Sequence, residues 1–309
     1  MPIIQYLPDG KEIEIEEGET ILQAAVRTGI ALAHICGGNG RCSTCRVIIL
    51  QGLENCAPRN PKEQAIAEQL HFDSTIRLAC QATVTGRVKL RRLVLDDEDV
   101  ELSSLFISGV SPGLTGVEKH VLILFADIVG FTSFAESLLP YDVIHVLNRY
   151  FRRVGEVIIR HGGHIDTYMG DGFMALFEAD DPVDAALRAI RTGLEMIEAV
   201  RKLGPYLKEL YQESFDIRIG LHYGQVVAGT LGAPGNKTMT VIGDAVNLAS
   251  RIEAANKRVG TQFLISADAY ALVKEHVRLG QRTRLTLPGK SGKYTLYEII
   301  GLKENATTK

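Results

Sequence analysis

Apolar and polar positions change rhythm several times along this chain. Near the amino terminus, Ile3-Ile4-Gln5-Tyr6-Leu7 and Glu12-Ile13-Glu14-Ile15 flank Pro8-Asp9-Gly10, a pattern that predicts a β-hairpin. Thr20 stands as N-cap before the helical run Ile21-Leu22-Gln23-Ala24-Ala25-Val26, and Arg46-Val47-Ile48-Ile49-Leu50 predicts a further strand. After Glu118 the elements alternate. Val121 to Ala126 is an apolar run of strand length, too short to span a membrane and best read as a buried strand. Ser133 and Glu136 have capping-box spacing, which places a helix start there. Val143, Ile144, Val146, Leu147, Tyr150, Phe151, Val154, Val157 and Ile158 recur with helical spacing. Ile165 to Phe177 reads as a hairpin turning at Gly170-Asp171-Gly172. A long helix follows from about Val183 to Leu203. Phe215 to His222 and Gln225 to Gly229 read as two strands, and Thr238 to Ile242 as another that runs through Gly243 into a helix from about Ala245. The order is β-α-β-β-α-β with additions, an α+β sandwich.

Between these two patterned regions lie the acidic run Asp96-Asp97-Glu98-Asp99-Val100-Glu101 and the breaker-rich Ser111-Pro112-Gly113-Leu114-Thr115-Gly116. Charge repulsion followed by turn formers marks a linker. The expected division is therefore a first domain over 1–95, a linker over 96–117, a second domain over 118–302 and a tail over 303–309. The linker is either a solvated tether or a segment that couples the two domains.

At 309 residues and 46% hydrophobic, the chain is long enough for two cores. A net charge of −3 argues against a general nucleic-acid binder, which needs a basic face. No apolar run reaches membrane-spanning length, and Met1 to Gly10 lacks the form of a signal peptide, so a cytoplasmic protein is expected. In that compartment the five cysteines read as metal ligands or free thiols rather than disulfides.

Four of them make a pattern. Cys36, Cys42 and Cys45 lie on a glycine-rich loop in C-x5-C-x2-C spacing, and Cys80 arrives from afar. Three thiolates on one loop and a distant fourth suit an iron–sulfur cluster, whose sulfides accept N–H bonds from a backbone folded round it. Glycines let that backbone approach closely. Zinc is the alternative, although structural zinc sites usually pair their ligands in two short knuckles. Residues 1 to 95 resemble the [2Fe–2S] ferredoxins of the plant and adrenodoxin superfamily, which implies a β-grasp fold, a [2Fe–2S] cluster and a redox partner for it. Cys56 lies off the pattern and reads as a free thiol.

The second region carries acids at turning points. Asp127 ends the Val121 strand and Asp171 sits at the hairpin tip. If hairpin and strand are neighbours, the two carboxylates meet at one sheet edge and repel unless a cation lies between them. A divalent metal is the natural reading, beside a turn at Gly130 and a helix start that could face a phosphate. Taken singly, either acid is better read as a turn or cap residue.

Asp127-Ile128-Val129-Gly130-Phe131-Thr132, Gly170-Asp171-Gly172 and Thr240-Val241-Ile242-Gly243-Asp244-Ala245-Val246-Asn247-Leu248-Ala249-Ser250-Arg251 together resemble the catalytic domain of class III nucleotidyl cyclases, over Glu118 to about Leu302. The resemblance implies a ferredoxin-like α+β fold and two Mg²⁺ or Mn²⁺ held by Asp127, Asp171 and the Ile128 carbonyl. It implies nucleotide contacts from Phe131 and Thr132, and a triphosphate contact from Lys290. Asn247 and Arg251, four apart on one helix face, would be catalytic, positioning the ribose and stabilising the transferring phosphate. The base-reading positions are Thr167 and Thr240, where many members carry Lys at the first. Guanylyl enzymes typically carry Glu and Cys there, which this chain lacks, so ATP is the expected substrate. Active sites of the family lie between two catalytic domains, so a homodimer is implied.

Two classes of function follow. The first is an adenylate cyclase whose rate responds to the redox state of a [2Fe–2S] cluster. The alternative is an iron–sulfur electron-transfer protein whose cyclase-like domain only binds nucleotide or dimerises. A cyclase whose cluster merely staples the first domain stands between them.

Overall fold

The computed structural model describes residues 2–93, 116–232, 236 and 238–303. The acidic run at 96–101 lies outside the described residues, as do all of the expected linker but Gly116 and Val117 and all of the expected tail but Lys303. The chain divides into two compact units, Met1–Val117 with Gly229–Met239, and Glu118–Ala228 with Thr240–Lys309.

In the first unit, β1 (Ile3–Leu7) turns every second side chain inward, so Ile4 and Tyr6 are fully buried. It pairs antiparallel with β2 (Lys11–Glu14), Ile4 facing Ile13, as the hairpin pattern predicts. With β3 (Arg46–Gln51), β4 (Ile76–Leu78) and β5 (Arg87–Arg92) it forms a five-stranded sheet in the order β2-β1-β5-β3-β4. β1 and β5 run parallel. Helix α1 (Ile21–Arg27) presents Ile21, Leu22, Ala24 and Ala25 to the core. Its expected N-cap is real: Gln23 N–H donates to Thr20 Oγ1 at 3.2 Å, and Thr20 N–H donates to Gln23 Oε1 at 2.9 Å. The Tyr6 hydroxyl donates to Ile21 C=O at 2.8 Å and locks the helix onto the sheet, the β-grasp arrangement. Helix α2 (Pro61–Gln69) is capped by Asn60, and its Glu63 is buried against Arg77 with two bonds of 2.9 and 2.8 Å. Leu78 N–H satisfies the same carboxylate at 2.7 Å, so this buried ion pair leaves no charge unpaired.

The second unit is built on β6 (Val117–Ile128). Leu122, Leu124, Ala126 and Ile128 enter the larger core, while Val121 and Ile123 enter a smaller one on the opposite face. Burial on both faces is why the sequence reads as a continuous apolar run. After α3 (Phe131–Glu136) and α4 (Pro140–Arg160), β7 (His164–Met169) and β8 (Gly172–Phe177) form the expected hairpin. Helix α5 (Pro182–Arg201) is capped by Asp181, and α6 (Gly204–Tyr211) leads to β9 (Ile217–Leu231). The remaining elements are β10 (Thr238–Ile242), α7 (Asp244–Val259), β11 (Phe263–Ser266), α8 (Ala267–Val273), β12 (Val277–Leu285) and β13 (Tyr294–Leu302). Among the described residues, eight strands make one sheet in the order β12-β13-β11-β9-β6-β8-β7, with β10 beside β9. The segment β9-β6-β8-β7 has ferredoxin-like order, and the chain is α+β throughout. Helices α4 and α5 line the larger core and α7 the smaller.

Two expectations need correction. The helix after Asp127 starts at Phe131, not at Ser133: Gly130 adopts a left-handed φ of 75° as its N-cap, with no side-chain cap. Ser133 and Glu136 therefore lie inside a single short helix, and their capping-box spacing is coincidental. The two strands expected over 215–229 are one strand. Gly224 does not break it, because a Cβ there would lie 2.7 Å from Ala245 Cβ and 2.7 Å from His222 Nε2. That glycine serves close approach of α7 rather than a turn.

Candidate functional site

The β6–β8 pairing sets Ala126 opposite Phe173, one residue before Asp127 and two after Asp171. Met169 faces Gly172, so Gly170-Asp171 is a two-residue turn, with Gly170 at φ 66°. Asp127 and Asp171 thus meet within hydrogen-bonding reach. Burial pushes the Asp127 carboxyl up to about 6, and the Asp171 charge and the bond shared with Asp171 push the same way, against the Ile128 N–H and Arg218. Gly172 has no room for a side chain: a Cβ would lie 3.0 Å from Asp127 Oδ1 and 3.0 Å from Ala126 O. Fully buried Tyr150 keeps a hydroxyl without a hydrogen-bond partner, and its pKa is raised by burial and then by both acids. Two close carboxylates at a sheet edge fit a hard cation with oxygen ligands.

The base-reading candidates are joined by a residue the sequence reading passed over. Thr167 Oγ1 lies 2.9 Å from Asp166 Oδ2, and Thr240 Oγ1, arriving from β10, lies 2.6 Å from the same oxygen. A carboxylate directly before Thr167 was visible in the sequence, but strand alternation would have sent it to the other face.

Helix α7 carries two of the remaining candidates. Asn247 and Arg251 are exposed on its surface. Lys290 Nζ donates to the Asp244 carboxylate and, at 3.2 Å, to the Asp244 carbonyl. Lys290 therefore stands at the first turn of the helix that bears Asn247 and Arg251. Phe131 and Thr132 occupy the first turn of α3, directly after the Asp127 strand end. Glu253, also unforeseen, lies on α7 where its carboxyl is raised to about 7 by burial, then by the Asp127 charge, with Arg218 opposing.

In the first unit the four predicted cysteines come together as two couples. Cys36 and Cys42 share a hydrogen bond, as do Cys45 and Cys80. The Cys45 bond and, against burial, the Gln81 side chain and Gly40 N–H hold the Cys80 thiol down at about 6. Gln81 Nε2 donates to Cys80 Sγ at 3.3 Å. Among the described residues no three His, Cys, Asp or Glu side chains converge as a single-ion site. The two thiol couples would instead supply the four thiolates of a two-iron cluster. The loop that carries them has left-handed φ at Gly37, Gly38 and Gly40, and a Cβ on Gly40 would sit 3.0 Å from the Gln81 side chain. These residues fit the cluster. Cys56 is elsewhere, half-buried, with burial raising its thiol.

Comparison with known proteins places both regions. Residues 116–301 match the family described as adenylate and guanylate cyclase catalytic domain, and residues 5–85 match the 2Fe-2S iron-sulfur cluster binding domain. An adenylate cyclase of Anabaena cylindrica is 38% identical over 188 residues, 58% of this chain and 37% of that protein. Adenylate cyclase 1 of Rhizobium meliloti is 31% identical over 204 residues, 65% of this chain and 30% of that protein. The chain thus spans about a third of the length of these curated relatives. Among solved structures, the guanylyl cyclase Cya2 superposes with a TM-score of 0.58 at 32% identity, covering 63% of this chain and 98% of that one. The adenylyl cyclase CyaB from P. aeruginosa gives 0.57 at 26% identity, covering 61% and 97%. Among the described residues no helix is long and apolar enough to cross a membrane. With its acids paired at one sheet edge and its four cysteines coupled, three from one loop and Cys80 from beyond β4, the chain belongs to the adenylate and guanylate cyclase catalytic-domain family and carries an amino-terminal 2Fe-2S iron–sulfur cluster binding domain.

Proposed function

We propose that the chain is an adenylate cyclase, converting ATP to 3′,5′-cyclic AMP and pyrophosphate as a homodimer whose rate follows the redox state of its [2Fe–2S] cluster. The observation that carries this reading is the convergence of Asp127 and Asp171 on one sheet edge, where burial and the Asp171 charge raise the Asp127 carboxyl to about 6. Asp127, Asp171 and the Ile128 carbonyl would hold two Mg²⁺ or Mn²⁺. When bound, such ions acidify the ribose 3′-hydroxyl and neutralise charge on the phosphates of an in-line displacement. Cys36, Cys42, Cys45 and Cys80 would hold the cluster.

The chain's own residues supply position and electrostatics. The Arg251 fork matches the oxygens of the transferring phosphate, and Asn247, one turn away, orients the ribose. Lys290, Phe131 and Thr132 serve the triphosphate, and Thr167 and Thr240 face the base. Exposure of Asn247 and Arg251 supports a site completed by a second copy, acids from one protomer and the Asn/Arg pair from its partner. A change of cluster charge alters the rate only if active and inactive dimer geometries stabilise the reduced form unequally.

The deciding assay offers ATP and GTP with Mg²⁺ or Mn²⁺, under air and after dithionite reduction. Faster formation of cyclic AMP than of cyclic GMP, at a rate that differs between redox states, is expected. No metal-dependent cyclic nucleotide under either condition leaves the electron-transfer reading in its place, and equal rates remove the redox response alone.

A further inference from the structure

β7 and β8 keep register except at one place. Ile165 faces Ala175 and Thr167 faces Met174, so Asp166 is the extra residue of a β-bulge. Residues paired across a ladder share a face of the sheet. Ala175 belongs to the larger core and Met174 to the smaller, so Ile165 and Thr167 lie on opposite faces although they are two residues apart. Regular alternation would return Thr167 to the Ile165 face; the bulge leaves it beside Asp166 instead. There the Thr167 hydroxyl donates to Asp166 Oδ2 at 2.9 Å. β10 approaches the same face. Its Val241 packs with Met174 in the smaller core, and its Thr240 hydroxyl donates to the same Oδ2 at 2.6 Å. β10 takes its ladder bonds from β9, and two strands, β6 and β8, separate β9 from β7. One carboxylate oxygen therefore joins elements that the sheet does not pair. The first ends in the Asp171 turn, and the second leads into α7 with Asn247 and Arg251.

We infer that Asp166 is a positioning residue of the nucleotide site, clasping β10 to β7 and fixing the separation of Thr167 and Thr240 before a base arrives. The inference rests on the reading of that pair as the base-contacting residues. A carboxylate oxygen only accepts, so each hydroxyl gives its single proton to Asp166 and keeps lone pairs for the ligand. Adenine brings a donor in its amino group, and guanine brings donors in its ring N–H and its amino group. Lone pairs held at this place serve either purine and choose neither. What the clasp supplies is order. Without it β10 and β7 are free to part, and binding must first bring the two hydroxyls back into register. Apparent affinity then falls by the fraction of molecules in which they stand apart.

The test is Asp166→Ala in the full chain with its cluster. Losing hydrogen bonds to a charged acceptor should raise KM at least about tenfold for ATP and GTP alike, with kcat within about threefold of wild type. Asp166→Asn keeps an acceptor oxygen at the same place and should bring KM back to within about threefold of wild type. In a Thr240→Val background Asp166→Ala should raise KM by less than about threefold, because the bond between the strands is already gone. A KM that rises by the same factor in both backgrounds, or an Asn variant as poor as the Ala variant, overturns the inference and leaves Asp166 a residue of the fold alone. Hydrogen exchange at the Val241 amide reads the clasp without turnover. It should run about tenfold faster in Asp166→Ala and near the wild-type rate in Asp166→Asn, and an unchanged rate in Asp166→Ala overturns the inference. If the wild type turns over neither nucleotide, the cyclase reading fails by itself, and this exchange rate decides for or against the clasp. Should circular dichroism show Asp166→Ala unfolded, Thr240→Val removes the bond between strands and leaves the carboxylate. A Val241 exchange rate untouched by that change is equally fatal.

Discussion

Lys290 is closed onto Asp244: its ammonium donates to both the carboxylate and the backbone carbonyl of the first residue of α7. The lysine side chain is only 9% exposed, whereas Asp244 is 84% exposed, so the pair is half in water. If Lys290 serves the triphosphate, it must first leave this partner, and the two anions compete for one cation. Replacing Asp244 by Asn removes the competitor and keeps the helix start. Exposed pairs are worth about 0–1 kcal/mol, so the KM for ATP should fall by at most about fivefold, with kcat little changed. Lys290→Ala should raise KM in both backgrounds. Steady-state kinetics of the four proteins checks this, and a KM unmoved by Asp244→Asn would show that the contact does not gate the lysine.

Glu253 predicts a pH effect. Helix α7 presses on β9 at Gly220, where a Cβ would lie 2.2 Å from Glu253 N and 2.7 Å from Ala249 O. In that crowded contact burial raises the Glu253 carboxyl from 4.5 to about 7, helped by the charges of Asp127 and Asp171 and opposed by Arg218. A raised carboxyl binds its proton more tightly in the folded than in the unfolded chain. The stability this contributes is complete below 4.5 and lost as pH rises through about 7. Glu253→Gln carries no such dependence. In EDTA it should match the wild type near pH 5 and melt a few degrees higher near pH 8. Melting curves that differ equally at both pH values would mean that the Glu253 proton is not the cause.

What the sequence discloses, and what it hides, follows from the range of the interactions. Thr20 and Gln23 cap α1 through contacts three residues apart, and the Gly170-Asp171 turn is equally local, so both are legible. The cysteine set is legible because Cys36, Cys42 and Cys45 share one glycine-rich loop, whereas its division into two couples, one of them reaching Cys80, exists only in the folded chain. Ser133 and Glu136 imitate a cap because spacing alone cannot show that Gly130 has already started the helix in a left-handed conformation. Gly224 looks like a breaker although it is a contact point for α7, a fact that exists only once the helix is packed. Asp166 is hidden for a similar reason: a bulge is a property of two strands, and either strand read alone keeps its alternation.

The cluster loop supports a comparison among cysteines. Each of Cys36, Cys42, Cys45 and Cys80 belongs to a couple, whereas the Cys56 thiol points toward Gly52 C=O at 3.8 Å. Serine at any of the four should abolish the visible iron–sulfur absorption, and Cys56→Ser should keep it. Gly40→Ala is the finer probe, since a Cβ there meets Gln81 at 3.0 Å on a backbone with φ of +65°. It displaces the side chain that donates to Cys80 Sγ, so it should lower iron content per chain while circular dichroism still shows a folded protein. Full iron loading in Gly40→Ala would show that the Gln81 contact is dispensable.

Division of the site between two copies can be read from mixtures of defective chains. Asp171 stands at the β7–β8 tip beside Asp127, and Arg251 stands exposed on α7. If acids and arginine of one site come from different protomers, Asp171→Ala and Arg251→Ala should each fall to background as homodimers. Neither change touches the cysteine loop, so both proteins should stay brown. Mixed and re-equilibrated in equal amounts, they should regain about a quarter of wild-type turnover, because half the dimers are mixed and each of those holds one intact site of two. Recovery should rise with total protein concentration as dimers form. If both acids and the arginine of a site came from one chain, every site would carry a defect, and mixing would restore nothing at any concentration.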